Sequence, residues 1–271
     1  MSFSLFIRAW NDWGDDRDTT GWAIIDCMMN LPLLYWASKE LNDPRFKAIA
    51  MAHADTAMDW FIREDSSVRH IVGFDPVTGK FAREYGGQGY GEGSSWTRGQ
   101  SWAIYGFALS YKYTGEKKYL ETAMKVADYV LSVMPDTYLV PIDYRQPKED
   151  DLEDSTAAAI TASGLIEIYR CLTGFYDKKV LGATDNYDVI VDEFKDKVSK
   201  EKASNYLNSA IKLLKALDLN SCDYSLNIDN LLTRGSVDYH GQNGHHIAII
   251  YGDYYYIEAL MKLKGNCLDI F

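Results

Sequence analysis

The sequence IIDCMMNLPLLYWASKELNDPRFKAIAMAHADTAMDWFI, residues 24–62, predicts two helices joined by a tight turn. Apolar residues recur at helical spacing over residues 24–41, and a second periodic segment covers residues 44–62. At the joint, Asp43 is placed as the N-cap and Pro44 as the first residue of the following helix. This segment therefore predicts a helical hairpin.

The same design recurs along the chain. Further helices are predicted over residues 96–113, 116–134, 154–169 and 203–217, with a last one over about 252–263. Asp154 is placed as the cap of the third hairpin, and alanines occupy the close-packing positions of the paired helices. Helix pairs that each bury one face against the next indicate an all-α toroid or solenoid.

The connections between hairpins indicate where a site lies. Long loops follow each hairpin, over residues 64–95, 135–153 and 220–251. In a ring of hairpins these loops collect at one end, so a functional site is expected there. The charged stretch 177–202 is interpreted as a surface insertion in a single domain that covers residues 1–271.

Composition excludes several classes of partner. Lys plus Arg number 28 and Asp plus Glu number 39, so the net charge of −11 argues against binding to nucleic acid or to anionic lipid. No apolar run reaches the roughly 18 residues that a membrane span needs, and the first ten residues are too short for a signal peptide. We therefore expect a cytoplasmic chain. Its four cysteines form no CxxC pair, so we expect reduced thiols and no metal site.

Asp26 is the first candidate for chemistry, because it lies between apolar neighbours on both sides. Burial of an unpaired carboxylate costs free energy. The residue therefore either caps a helix or lies in a cleft with a raised pKa, which is what a general acid requires. The sequence leaves both interpretations open.

A second candidate lies in the glycine-rich run over residues 88–102. Arg98 and Trp102 share one helix face at i, i+4, where a guanidinium can bind a sugar carboxylate and an indole can stack on the ring. The alternative is a solvated arginine and a core tryptophan. His70 lies in the first long loop at the expected site end, whereas His53 is more typical of a packed or solvated histidine.

Four segments in order, residues 23–38, 88–107, 154–167 and 250–260, closely resemble the unsaturated glucuronyl hydrolases of glycoside hydrolase family 88. The related unsaturated rhamnogalacturonyl hydrolases are the alternative, but the stretch WTRGQSW over residues 96–102 is more similar to family 88. The resemblance implies a six-hairpin (α/α)6 barrel. It also implies a substrate made by polysaccharide lyases, an oligosaccharide whose non-reducing end is a 4,5-unsaturated uronic acid.

The resemblance implies specific roles as well. An aspartate protonates C4 of the vinyl ether and directs water to C5, and the resulting hemiketal rearranges and releases the sugar. By motif, Asp26 matches this general acid and base. The positions that match substrate contacts are His70, Gln88, Trp96, Arg98, Trp102 and, in the approach to the acid, Trp10 or Trp13. No metal and no organic cofactor is implied.

The chain also departs from the family pattern. It shows about seven of the twelve helices, and the family's His-Asp-x-Gly motif, which carries a second essential carboxylate, is not found in it. An incomplete barrel exposes apolar helix faces at its open edge, which predicts self-association there. The alternative to an active hydrolase is a catalytically inactive remnant that binds carbohydrate through Arg98 and Trp102.

Overall fold

The computed structural model describes residues 5–10, 18–174, 198–225 and 227–265. Within these residues it contains seven α-helices, two short 3-10 helices and one antiparallel sheet of three strands. The helices are α1 (Leu31–Glu40), α2 (Pro44–Trp60), α3 (Thr97–Thr114), α4 (Lys117–Val133), α5 (Ser155–Thr173), α6 (Lys200–Asn220) and α7 (Ile250–Leu263). The strands are β1 (Trp22–Ile24), β2 (Ile71–Phe74) and β3 (Phe81–Tyr85), and the 3-10 helices are Ile25–Met29 and Gln242–Gly244.

The helices form two layers, as the sequence predicts. In the inner layer α3 packs against α1 and α5, and α5 packs against α7. In the outer layer α2, α4 and α6 each pack against the inner helix that precedes them in the chain. The central helices α3 and α5 are buried along most of their length. This is the arrangement of an α/α toroid, with α1 and α7 at the two ends of the arc.

The residues predicted to begin and end the helices of the hairpins do so in the structure. The side chain of Asp43 accepts a hydrogen bond from the Arg45 N–H at 3.0 Å, and Pro44 is the first residue of α2. Asp154 caps α5 by accepting from the Thr156 N–H at 3.1 Å. α3 ends at Gly115, whose φ of 75° is the left-handed conformation that glycine adopts freely.

The prediction of a single helix over residues 24–41 is wrong. This stretch begins as β1, continues as the 3-10 helix Ile25–Met29 and becomes α-helical only at Leu31. Ile24 is held extended because it pairs with Ile71 of β2. Pro32 lies in the first turn of α1, where its missing N–H costs nothing, whereas the interior of a longer helix would have lost a hydrogen bond there.

The proposed insertion over residues 177–202 lies almost entirely outside the described residues. Its last part does not form a loop, because α6 begins at Lys200 with Ser199 as its N-cap, slightly earlier than the sequence predicts. Cys27, Cys171 and Cys222 are free thiols, in agreement with the expectation for these three.

A buried polar cluster fixes α7 against the central helices. The ammonium group of Lys262 lies 2.5 Å from the Tyr105 hydroxyl, 3.0 Å from that of Ser163 and 3.1 Å from Glu167 Oε2. Because a buried charge is tolerated only when it is paired, this cluster fixes the register of α7 relative to α3 and α5. None of the described helices is long and apolar enough to cross a membrane.

Candidate active site

The sheet brings Asp26 and His70 together. β1 leads directly into the 3-10 helix that carries Asp26, and His70 immediately precedes β2. Ile25 donates its N–H to the carbonyl of His70 at 3.1 Å, which locks the two segments side by side. As a result, Asp26 Oδ2 lies 3.5 Å from His70 Nε2.

Asp26 does not cap a helix. The cap position of its 3-10 helix is Ile24, and no side chain caps that end. The Asp26 side chain is 35% exposed, so the carboxylate is not enclosed among its apolar neighbours. Its Oδ2 atom is buried and has no hydrogen-bond partner among the described residues. The carboxylate therefore has one oxygen directed at His70 and remains accessible to a ligand.

His70 is buried and its orientation is fixed from two directions. Its Nδ1 accepts a hydrogen bond from the Gln88 backbone N–H at 3.0 Å. Its ring lies on Trp96, with the ring centroids 4.0 Å apart. Because Nδ1 is an acceptor, the neutral imidazole carries its proton on Nε2, the nitrogen that faces Asp26. The arrangement gives Asp26 a neighbouring N–H donor.

Gln88 connects this pair to the last long loop. Its side-chain amide donates to the carbonyl of Val237 at 2.6 Å. The preceding residue, Gly87, has a φ of 58°, and a Cβ atom there would lie 2.1 Å from His70 Nδ1. A glycine is therefore required where the loop passes the imidazole.

Arg98 is buried in an ion pair and is not solvated. Its side chain is 1% exposed, and Nη1 lies 2.5 Å from Asp154 Oδ2. The guanidinium also donates to the carbonyls of Ser236 and Val237. The interpretation of Arg98 as a solvated side chain is wrong, because the residue is buried in an ion pair. Direct contact between Arg98 and a sugar stays a prediction.

The two tryptophans of the same motif differ in their surroundings. Trp96 is 1% exposed, with His70 on its ring and the Arg98 guanidinium 4.7 Å from its ring centroid. In this structure it contacts those two residues, and its contact with the sugar stays a prediction. Trp102 is 8% exposed and packs against Tyr251 and Tyr255, with ring centroids 6.1 and 5.6 Å away. Its indole N–H is buried and has no partner among the described residues.

Trp10 is half-buried and lies beside the sheet. Its ring meets Trp22 edge-on at 6.0 Å, and Trp22 in turn packs on Tyr85 at 4.1 Å. Ala9 donates its N–H to the Trp22 carbonyl, so the segment that carries Trp10 is tied to β1, the strand that leads to Asp26. Trp13 lies outside the described residues.

Two residues of the site were not identified as such from the sequence. Asp154 was predicted only as a helix cap, and its ion pair with Arg98 joins residues far apart in the chain. Tyr251 lies at the start of α7, close enough to Arg98, Asp154 and Asp26 for their charges to act on its phenol. Burial raises the pKa of Tyr251, Arg98 lowers it, and the two carboxylates raise it further. The only sequence signal for Tyr251 is its position in the motif over residues 250–260.

Comparisons with known proteins agree with the fold and the motifs. No protein-family model matches the sequence. The unsaturated glucuronyl hydrolase of Bacillus sp. (strain GL1) is 36% identical over 260 residues, which cover 95% of this chain and 62% of that protein. An unsaturated chondroitin disaccharide hydrolase of Streptococcus pyogenes serotype M1 is 31% identical and is covered to 58%.

Solved structures give the same result. The crystal structure of the Bacillus sp. GL1 enzyme matches with a TM-score of 0.80 at 35% identity, over 96% of this chain and 63% of that one. An unsaturated glucuronyl hydrolase specific for heparin matches with a TM-score of 0.79 at 29% identity, over 96% and 62% of the two chains. The chain thus spans less than two thirds of the length of these relatives. Over the part of their (α/α)6 toroid that it spans, it is homologous to the unsaturated glucuronyl hydrolases, as its motifs predict.

Proposed function

We propose that the chain is a glycoside hydrolase that releases 4,5-unsaturated glucuronic acid from the non-reducing end of lyase-generated oligosaccharides. Its general acid and base is Asp26. The names of its relatives support this proposal, since they are unsaturated glucuronyl and unsaturated chondroitin disaccharide hydrolases. Assignment to glycoside hydrolase family 88 and a cytoplasmic location are parts of the same proposal.

In the proposed reaction Asp26 donates a proton to C4 of the C4=C5 vinyl ether. Water then adds its hydroxyl at C5 and returns a proton to the carboxylate, so the acid is regenerated. The product at C5 is a hemiketal, which opens and releases the next sugar. No pair of opposed carboxylates at the anomeric carbon is needed, in contrast to ordinary retaining or inverting glycosidases.

One observation carries the proposal. Asp26 is accessible on one side, while its inner oxygen faces His70 Nε2 at 3.5 Å. A general acid and base must lie within reach of the substrate and give up and take back a proton during the reaction. His70 Nε2 faces this oxygen without a hydrogen bond in the structure, and the position of the imidazole is fixed by Gln88 and Trp96.

The test follows the ultraviolet absorbance of the conjugated double bond. Unsaturated disaccharides made by chondroitin, hyaluronan and heparin lyases are incubated with the chain, and loss of absorbance reports turnover. We expect Asp26→Asn to abolish the loss because the amide has no proton of suitable acidity to give. The control Asp59→Asn makes the same change at an exposed position of α2 and should retain the rate.

Two other outcomes would support the alternatives. Binding of an unsaturated disaccharide without any change in absorbance favours the inactive carbohydrate-binding remnant. Unsaturated rhamnogalacturonan fragments are added to the panel, and turnover restricted to them favours a rhamnogalacturonyl hydrolase. Full activity of Asp26→Asn would contradict the proposed role of the carboxylate.

A further inference from the structure

Asp143, in the loop between α4 and α5, is a fully buried carboxylate that the mechanism above does not use. Its Oδ1 accepts hydrogen bonds from the backbone N–H groups of Ser95 and Arg145, each at 2.9 Å. Its Oδ2 accepts from the backbone N–H of Tyr90 at 3.0 Å. These donors are all backbone amides, so the carboxylate holds chain segments in place.

The segment that Asp143 holds is the glycine-rich loop that carries Gln88. Tyr90 and Ser95 lie at the two ends of the turn that follows Gln88. Gly89 passes so close that a Cβ atom there would lie 2.8 Å from Asp143 Oδ2. Other contacts secure the outer part of the loop, since Arg63 donates to the Ser94 carbonyl at 3.0 Å and Glu84 accepts from the Gly93 N–H at 2.8 Å.

We propose that Asp143 is a positioning residue that acts on Asp26 through the loop and His70. By fixing Tyr90 and Ser95, it places the Gln88 N–H against His70 Nδ1. That contact keeps the imidazole proton on Nε2, opposite Asp26 Oδ2. The catalytic consequence rests on the proposed function, whereas the effect on the His70 tautomer does not depend on it.

The substitution Asp143→Asn tests this chain of contacts with little change in shape. A carboxylate can accept all three N–H groups, whereas an amide accepts through one oxygen and presents an NH2 group to the rest. At least one buried backbone N–H is then left unpaired, which favours a shift of the loop. Without a fixed Gln88 N–H, the two neutral tautomers of His70 become closer in free energy.

The first measurement is a nitrogen-15 NMR spectrum of the imidazole rings, with the His70 signals assigned from their absence in His70→Asn. We expect the Nε2-protonated tautomer in the unsubstituted chain and a mixture of tautomers in Asp143→Asn. The matched control is Asp151→Asn, the same change at an exposed position of the same loop, which should leave the His70 spectrum unchanged.

The second measurement is the rate of loss of absorbance. Loss of the His70 N–H opposite Asp26 affects the chemical step more than binding, so kcat should fall by about tenfold or more while KM changes by less than about threefold. If Asp143→Asn does not fold, Gly89→Ala disturbs the same contact from the loop side with the carboxylate intact. It should give the same mixture of tautomers.

An Nδ1-protonated His70 in the unsubstituted chain would overturn the proposal, and so would an unchanged His70 spectrum in a folded Asp143→Asn chain. If the unsubstituted chain hydrolyses none of the unsaturated substrates, the proposed function fails instead. The NMR result still decides the positioning role in that case.

Discussion

The backbone conformation of Gly87 determines how closely its loop approaches His70 in the candidate site. Its φ is positive, and a Cβ atom at this position would lie only 2.1 Å from His70 Nδ1, so there is no room for a side chain. The same atom of His70 accepts the Gln88 N–H, so any displacement of the imidazole also breaks that hydrogen bond. The geometry of one glycine therefore controls the donor opposite Asp26.

We predict that Gly87→Ala lowers the rate of unsaturated disaccharide hydrolysis by at least about tenfold, because it displaces His70. It should also lower the free energy of unfolding by roughly 1–3 kcal/mol, since alanine is strained at this φ. Gly91→Ala is the control, because a Cβ at Gly91 meets nothing within 4 Å. Initial rates and urea denaturation measure both effects. Equal effects of the two substitutions would contradict the prediction.

Between elements, the ion pair of Arg98 and Asp154 joins the N-terminal ends of α3 and α5. Removing one partner of a buried pair leaves an uncompensated charge, so Arg98→Met should cost about 3–5 kcal/mol in urea denaturation. In the double variant with Asp154→Asn the charge is gone, and asparagine still caps α5. The double variant should therefore lose less unfolding free energy than the two single variants lose together, by more than about 1 kcal/mol. Simple additivity would show that the pair is not coupled.

Another contact between elements makes stability depend on pH. The N-terminal segment is attached to α2 through the Ile7 N–H, which donates to His53 Nδ1 at 3.0 Å. Burial lowers the pKa of His53 from its usual 6.5 to about 4. In the unfolded chain His53 therefore binds a proton below about pH 6.5, whereas in the folded chain it binds one only below about pH 4. Between these two values a decrease in pH favours unfolding.

We predict that lowering the pH from 7 to 5 removes about 2 kcal/mol of folding free energy through His53. The stabilising contribution is complete above pH 6.5 and is lost as the pH falls towards 4. His53→Asn retains an acceptor for the Ile7 N–H but has no proton to bind. Urea denaturation at both pH values should show the smaller decrease in the variant, and identical decreases would exclude His53 as the cause.

The ends of helices could be predicted where the residues that determine them are close together in the sequence. The cap at Asp43, the glycine at 115 and the cap at Asp154 define hairpin ends within a few residues of sequence. The conversion of residues 22–24 to a strand depends on β2, which lies far along the chain. Likewise, Arg98 and Asp154 are 56 residues apart in the chain, so their ion pair is not visible in the sequence, which predicts either a sugar contact or a solvated side chain for Arg98.

At the scale of the whole molecule, both ends of the arc present apolar surface. On α7 the exposed side chains include Ile250, Tyr254, Ile257 and Leu260, and on α1 they include Leu33 and Trp36. Contiguous apolar faces of this kind favour burial against protein, despite the net charge of −11 that opposes association. As in the sequence analysis, these exposed faces predict self-association of the chain.

We predict that light scattering coupled to gel filtration gives an apparent mass above that of one chain, rising with concentration. Ile257→Lys should shift the mass towards that of a monomer, because it places a charge within the α7 face. Leu219→Lys is the control, since it makes the same change at an exposed position near the end of α6. A monomer at all concentrations would refute self-association.

The carbonyl of Val237 accepts hydrogen bonds from both Gln88 and Arg98. Because the acceptor belongs to the main chain, a point substitution at position 237 leaves it in place, and the Val237 side chain itself is exposed. A one-residue deletion in that loop, in contrast, moves the acceptor away from two donors at once. In directed evolution of the chain, position 237 should therefore accept many amino acids, whereas the length of its loop should not vary.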